Sequence, residues 1–450
     1  MPPADATPRS PLAVLRSLEG AEIPFALLMF AYFFLVITSF WILKPLKKAL
    51  FIEHYDAAGF TLPGWTATAA EAELLAKVLN MVVAFAAVAL FTVLARRLHR
   101  ERLTWVFTAA FAAGYALYAT RGSDPGGLTV WSFYLFGDLF STVMVATFFA
   151  FLNDSVRADR AKRLYGPIGL GGVLGGAFGS LAVSAWIDTL SLAAWLGVCA
   201  ALAGGIVVAA TAAGRLVARS DLAGRRRDAA AKDAGGAAPV RNAALEGAAL
   251  VARSRYLLAI AALVGLYEIV STVMDFQFTS TVAHYLDGDA IGEHVALVYA
   301  ITNGVAAVIQ LLGTGWVMTR YGVGAALLVL PVAAALGSAA FMLVPALWVG
   351  SALNTVDNAF NYSINQSARE ALYVPRSRAE KYRAKAFIDM FVMRLAKAVA
   401  VGVSLAIGAW FDSFASVRWL GVFTLAVVAA WLVAARYAGR RFRAVEDGAP

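Results

Sequence analysis

From Phe25 to Leu43 the chain carries no charged side chain. As a helix rising about 1.5 Å per residue, such a run spans roughly 30 Å, the hydrocarbon thickness of a bilayer. Comparable runs recur throughout a sequence that is 60% hydrophobic and 15% charged, which excludes an ordinary soluble domain. Lipid offers no partner for a backbone N–H or C=O, so each run is read as a helix that satisfies itself. The expectation is an all-α polytopic membrane protein.

Twelve spans are read, near residues 25–50, 74–95, 103–119, 129–152, 165–187 and 190–213, then 256–285, 294–318, 323–341, 343–366, 384–411 and 417–438. They group into an N-terminal six-helix half, 23–213, and a C-terminal half, 256–438. A polar linker, 214–255, contains "GRRRDAAAKDAGGAAP"; a short segment, 1–22, and a tail, 439–450, flank the halves. Basic residues fall in alternate loops: Arg96, Arg97, Arg100 and Arg102; Arg157, Arg160, Lys162 and Arg163; the linker; and Arg436, Arg440, Arg441 and Arg443 in the tail. Because positive loops stay inside, both termini are expected in the cytoplasm. The same alternation explains the net charge of +9 without invoking nucleic acid. Two six-span halves joined by a cytoplasmic linker fit the major facilitator architecture. "RAKR" at 160–163 is echoed by "RAEK" at 378–381, and "GWVMTRYG" at 315–322 resembles the turn between two spans of that superfamily, with Thr319 where aspartate is usual.

Charge at bilayer depth costs about 2.5–3.5 kcal/mol per side chain on insertion scales, so each such residue needs a partner or a wet cavity. Lys44, Lys47 and Lys48 end span 1, spaced to share one helical face, with Pro45 among them. By the charge rule they stand at the wrong end, which is the reason to expect them to face substrate. Arg394 and Lys397 lie three apart on span 11, and Lys77 sits near the outer end of span 2. Acids lie on span 4 (Asp138), span 7 (Glu268 and Asp275), span 10 (Asp357) and span 11 (Asp389). Span 10 carries a polar stripe of Asn354, Asp357, Asn358, Asn361 and Asn365, which lipid cannot satisfy. Lysine serves a phosphate as a point charge and arginine as a fork, so a cavity holding these cations suits a multiply charged anion.

Other features point to packing. "GPIGLGGVLGGAFG" at 166–179 is no phosphate loop, since Leu174 stands where the last glycine of G-x-G-x-x-G belongs. Gly171, Gly175 and Gly179 recur every fourth residue, as do Gly172 and Gly176, the pattern of close helix contact in membranes. Cys199 is the single cysteine, and His54, His99, His284 and His294 are scattered, so neither a disulfide nor a metal site is expected.

Four segments carry a resemblance to the ATP/ADP translocase family of plastids and obligate intracellular bacteria. "ILKPLKKAL" at 42–50 resembles that family's I-L-R-D-T-K-D-x-L, and "GDLFSTVMVATFFAFLND" at 137–154 resembles its span 4. "YEIVSTVMDF" at 267–276 is similar to its span 7, and "EKYRAKAFIDMFVMRLAKAV" at 380–399 to its K-x-K-A-x-I-D…R-x-G-K segment. The family needs two membrane lysines and two glutamates for transport, and the resemblance implies Lys47, Asp138, Glu268 and Lys397 in those roles. Asp138 replaces a glutamate, and Pro45 and Lys48 stand where the adenine nucleotide carriers usually have aspartates.

The combined expectation is a secondary transporter, not an enzyme. It would exchange nucleotides or related phosphorylated anions across a bacterial cytoplasmic membrane, as a monomer without cofactor. Expected substrate contacts are Lys44, Lys47, Asp138, Glu268, Asn354, Asp357, Asn358, Asn361, Arg394 and Lys397. The alternatives are a proton-coupled efflux transporter using Asp138, Glu268 and Asp357 as protonation sites, and a non-transporting membrane scaffold or sensor.

Overall fold

The computed structural model describes residues 22–56, 59–121, 125–156, 158–219, 240–373, 384–385, 387–410 and 413–446. The expected cytoplasmic segment before residue 22, the centre of the linker, the "RAEK" motif and the last four residues lie outside the described residues. Among those described, nine segments are long and apolar enough to cross a membrane. The chain is a polytopic helical membrane protein, as its apolar runs require.

The sequence before residue 220 builds α1 (Glu22–Asp56), a hairpin of β1 (Phe60–Leu62) and β2 (Trp65–Ala67), and then α2 (Ala69–Arg97) and α3 (Arg100–Arg121). There follow α4 (Gly127–Ser155), α5 (Ala158–Trp186) and α6 (Leu192–Arg219). After the linker come α7 (Val240–Arg253), α8 (Arg255–Tyr285), α9 (Asp289–Val308), α10 (Thr314–Leu343), α11 (Leu347–Phe360) and α12 (Gln366–Leu372). The chain closes with α13 (Met393–Trp410), the single turn α14 (Phe414–Val417) and α15 (Leu420–Glu446).

Local chemistry sets several of these boundaries. Thr68 and Glu71 form a reciprocal cap on α2: Thr68 N–H donates to Glu71 Oε2 at 2.8 Å, and Glu71 N–H to Thr68 Oγ1 at 3.3 Å. Ser254 caps α8 by accepting from Leu257 N–H. The hairpin pairs Leu62 with Trp65 across a two-residue turn whose Gly64 takes φ +80°. The run Asp289–Leu343 measures 55 residues, far more than one crossing needs, and Gly322 breaks it with φ 80° and ψ 170°. That break falls at the end of the "GWVMTRYG" turn. Single π turns interrupt the helical ladder at Ile309–Gly313, Asn361–Asn365 and Ile388–Val392.

The helices condense into two compact units. One holds residues up to Lys48 and from Val82 to Gly236; the other holds Ala49–Met81 and everything from Ala237. In the first unit α5 lies against α1 through its glycines, and an aromatic cluster fills the space between α1 and α4: Phe33 stacks on Phe148 at 4.3 Å, and Tyr32 meets the same ring edge-on at 5.2 Å. Tyr32 and Thr104 share a hydrogen bond of 3.1 Å, which settles a buried phenol in an otherwise apolar core. Cys199 is fully buried in α6. The second unit has its core along α8, α10 and α15, where Ile260, Leu327, Leu330, Phe341 and Trp431 are buried together. Large apolar side chains such as Leu312, Leu336 and Val433 are exposed, as lipid-bathed helix surfaces require.

Candidate functional site

Among the described residues, each unit contains at least one ion pair linking a lysine to a carboxylate on a different helix. In the first unit Lys47 of α1 pairs with Asp138 of α4. The lysine side chain is only 5% exposed, so its charge depends on that carboxylate and on the Tyr134 ring, 4.1 Å from Nζ. Gly137 makes the approach feasible: a Cβ there would come 2.8 Å from Lys47 Cδ. One turn earlier, Lys44 lies 4.4 Å from the Trp41 ring and 5.9 Å from that of Phe40. Lys48 is buried as well, at 3% exposure, so it does not reach for the interface as a snorkelling lysine would.

Alanine at position 137 would force the Lys47 stem off its rotamer, at a typical cost of about 0.5–1.5 kcal/mol. We expect Gly137→Ala to lower transport by roughly two- to tenfold with little change in melting temperature, since the stem can yield where backbone cannot. Flux and thermal unfolding measured on one preparation check this. Unchanged flux would show that Lys47 is not held by that approach.

In the second unit Lys397 of α13 pairs with Glu268 of α8 at 2.9 Å. Lys397 retains 34% exposure and Glu268 11%, so the cation is the more accessible partner. Glu268 begins a polar file on one face of α8. Ser271 donates to Asp357 of α11 at 2.5 Å, Asp275 accepts from Asn354 of α11 at 3.2 Å, and Thr279 donates to Glu73 of α2 at 2.7 Å. Lys77 of α2 completes the file by pairing with Asp275.

The expected site residues therefore divide. Lys47 with Asp138, and Lys397 with Glu268, are brought together as pairs. Asn354 and Asp357 are buried against α8, at 1% and 2% exposure, whereas Asn358 and Asn361 are half-buried. Arg394 donates to the carbonyl of Met81. The sequence reading noted Lys77 and Asp275 separately and missed their bond. The signal was available in the rule that intramembrane charges of opposite sign seek each other. Among the described residues no group of histidine, cysteine and acids has metal-binding geometry.

Solved structures of transporters share this transmembrane helical fold. The nucleoside transporter NupG matches over 92% of this chain and 99% of its own, with a TM-score of 0.64 at 13% identity. A D-xylose–proton symporter matches over 91% and 96%, with a TM-score of 0.58 at 11% identity. The chain belongs to the TLC ATP/ADP transporter family, whose model matches residues 128–345 and 339–442. A plastidic ATP/ADP transporter of Solanum tuberosum is 25% identical across 90% of this chain and 71% of its own length. An ADP,ATP carrier protein of Arabidopsis chloroplasts is 23% identical across 90% and 72%.

Proposed function

We propose that the protein exchanges nucleotides or related phosphorylated anions across a bacterial cytoplasmic membrane by alternating access. Counting the 55-residue run as two crossings, and adding 347–372 and 388–410, supports the reading of twelve crossings, and the basic alternate loops support cytoplasmic termini. Family membership supports a carrier, and the names of the relatives support ATP and ADP as the first substrates to try.

The observation that carries the mechanism is the lysine–carboxylate pair in each unit, at the four positions the family resemblance marks. In the empty protein each carboxylate neutralises a lysine that lipid would otherwise penalise. A phosphate chain brings several negative charges and outcompetes a single carboxylate for each cation. Lys47 and Lys397 then bind phosphate, with Lys44 and Arg394 assisting, while Asp138 and Glu268 release. Such a substrate has a large differential affinity between the paired and unpaired states, which is what allows binding to shift a conformational equilibrium.

A thermal-stability screen against nucleotides, sugar phosphates and inorganic phosphate tests this directly. A ligand at about 100 times its Kd stabilises the native state by about 2.7 kcal/mol, an upward shift of several degrees. Phosphorylated ligands should produce it and the corresponding nucleosides should not, and the hits should drive counterflow in proteoliposomes. No shift and no counterflow with any phosphorylated solute would sink the reading.

One observation favours proton coupling as a second reading. The bonded file on α8 holds four carboxylates, Glu73, Glu268, Asp275 and Asp357, against two lysines, Lys77 and Lys397. Flux that collapses with the proton gradient and ignores added ATP or ADP would decide for it.

A further inference from the structure

The helices α1 and α2 belong to the first unit over most of their length, yet residues 49–81 pack with the second. This strap comprises the end of α1, the hairpin and the first three turns of α2. Among its apolar contacts, Ala70 and Leu74 sit against Val273, Phe276, Ala400 and Leu420. Much of the rest is polar. On successive turns of α2, Glu73 accepts from Thr279, Lys77 pairs with Asp275 and approaches Glu73 at 3.6 Å, and the Met81 carbonyl accepts from Arg394. Asn354 braces Asp275 from the far side at 3.2 Å. Helices α8, α11 and α13 thus all contribute to one polar seam along α2.

Two properties make the seam releasable. The side chains of Lys77 and Asp275 keep 15% and 23% exposure, so water can take over their bonds, unlike those of an entombed pair. Beside the seam lies a cavity of about 600 Å³ lined by Tyr55, Trp65 and Glu71 of the strap and by Phe276, Ser280 and His284 of α8. The strap is therefore not close-packed onto α8 along its length, and less dispersion energy is lost when it lifts.

We propose that Lys77, Asp275 and Asn354 form a latch that fastens the strap 49–81, and that transport requires this latch to open and close. Lys77 is then a positioning residue: it sets the balance between conformers without touching substrate. The kinetic arm of the test rests on the transport reading; the labelling arm does not.

In proteoliposomes, Lys77→Ala should lower maximal exchange at least tenfold while changing the half-saturating concentration less than about threefold. The reversed pair, Lys77→Asp with Asp275→Lys, should recover to within about threefold of the wild type, because coupled residues are non-additive. Strap release is read without substrate by placing a thiol under the strap: Ser280→Cys in a Cys199→Ser background, labelled by a maleimide in detergent. Ser280 Oγ is buried, so labelling should be slow with the native latch, at least about tenfold faster with Lys77→Ala, and slow again with the reversed pair. Equal labelling rates with and without Lys77 overturn the latch whatever the flux shows. Wild-type flux of zero, with labelling that follows the latch, overturns the transport reading alone. A reversed pair no better than Lys77→Ala in both measurements overturns the charge pairing.

Discussion

Lys397→Ala should abolish exchange of phosphorylated substrate, and Lys47→Ala should do the same, while both proteins still insert and purify. A hydrogen bond to a charged group contributes about 1.5–3 kcal/mol net, so losing one phosphate contact slows exchange roughly ten- to a hundredfold. The real loss is larger, because each lysine also holds a carboxylate. Without Lys397, Glu268 loses its cation partner at 11% side-chain exposure. Without Lys47, Asp138 of α4 does likewise. The paired variant Lys397→Ala with Glu268→Gln separates structure from transport. It removes both charges, so a purely structural pair predicts recovered stability and recovered exchange; a substrate-binding lysine predicts recovered stability alone. Lys397→Arg keeps the charge but exchanges a compact ammonium for a planar fork, and should retain partial exchange with altered substrate preference. Radiolabelled nucleotide uptake and thermal unfolding on one set of variants check all four. Wild-type exchange by Lys397→Ala would refute the mechanism.

The parts of this fold legible in the sequence are those that lipid enforces. Charge has no neutral place in hydrocarbon, so the intramembrane lysines and acids stood out before any geometry was known; the family resemblance singled out Lys47, Asp138, Glu268 and Lys397, and the structure joins them in two pairs. Glycines at every fourth position have one physical use in a membrane helix, and α5 puts them there. The turn ending at Gly322 was legible through the resemblance of "GWVMTRYG" to a known interspan turn, and the structure gives that glycine φ 80°. What stayed hidden depends on pairing across the chain. Lys77 and Asp275 are 198 residues apart, and nothing local says which acid a lysine will meet. The hairpin at 60–67 was missed because two three-residue strands, flanking Pro63 and Gly64, are too short to show alternation. The π turn at Asn361–Asn365 has no sequence signature either, and it changes the register on which the asparagine stripe was drawn.

The contact of α1 with α5 predicts the largest effect on stability. Cβ atoms at Gly171 and Gly175 would lie 2.5 Å from the carbonyl oxygens of Phe30 and Phe34, and one at Gly179 would lie 2.7 Å from that of Thr38. These neighbours are backbone, so no rotamer change relieves the overlap. Thr38 Oγ1 also donates to the carbonyl of Gly175 at 3.2 Å, a bond available only at this separation. Between helices in lipid there is no hydrophobic gain to offset a wider spacing; dispersion and such bonds are what hold them. Overpacking typically costs about 1–3 kcal/mol, and here it adds to the lost contact along three turns. Gly175→Leu should therefore lower the melting temperature by several degrees and reduce the yield of folded protein, with Gly175→Ala intermediate. Gly204 of α6 has nothing within 4 Å of a built Cβ, so Gly204→Leu is the matched control and should unfold with the wild type. If Gly175→Leu melts with that control, α1 and α5 are not in the close contact described, and the position of Lys47 on α1 loses its support.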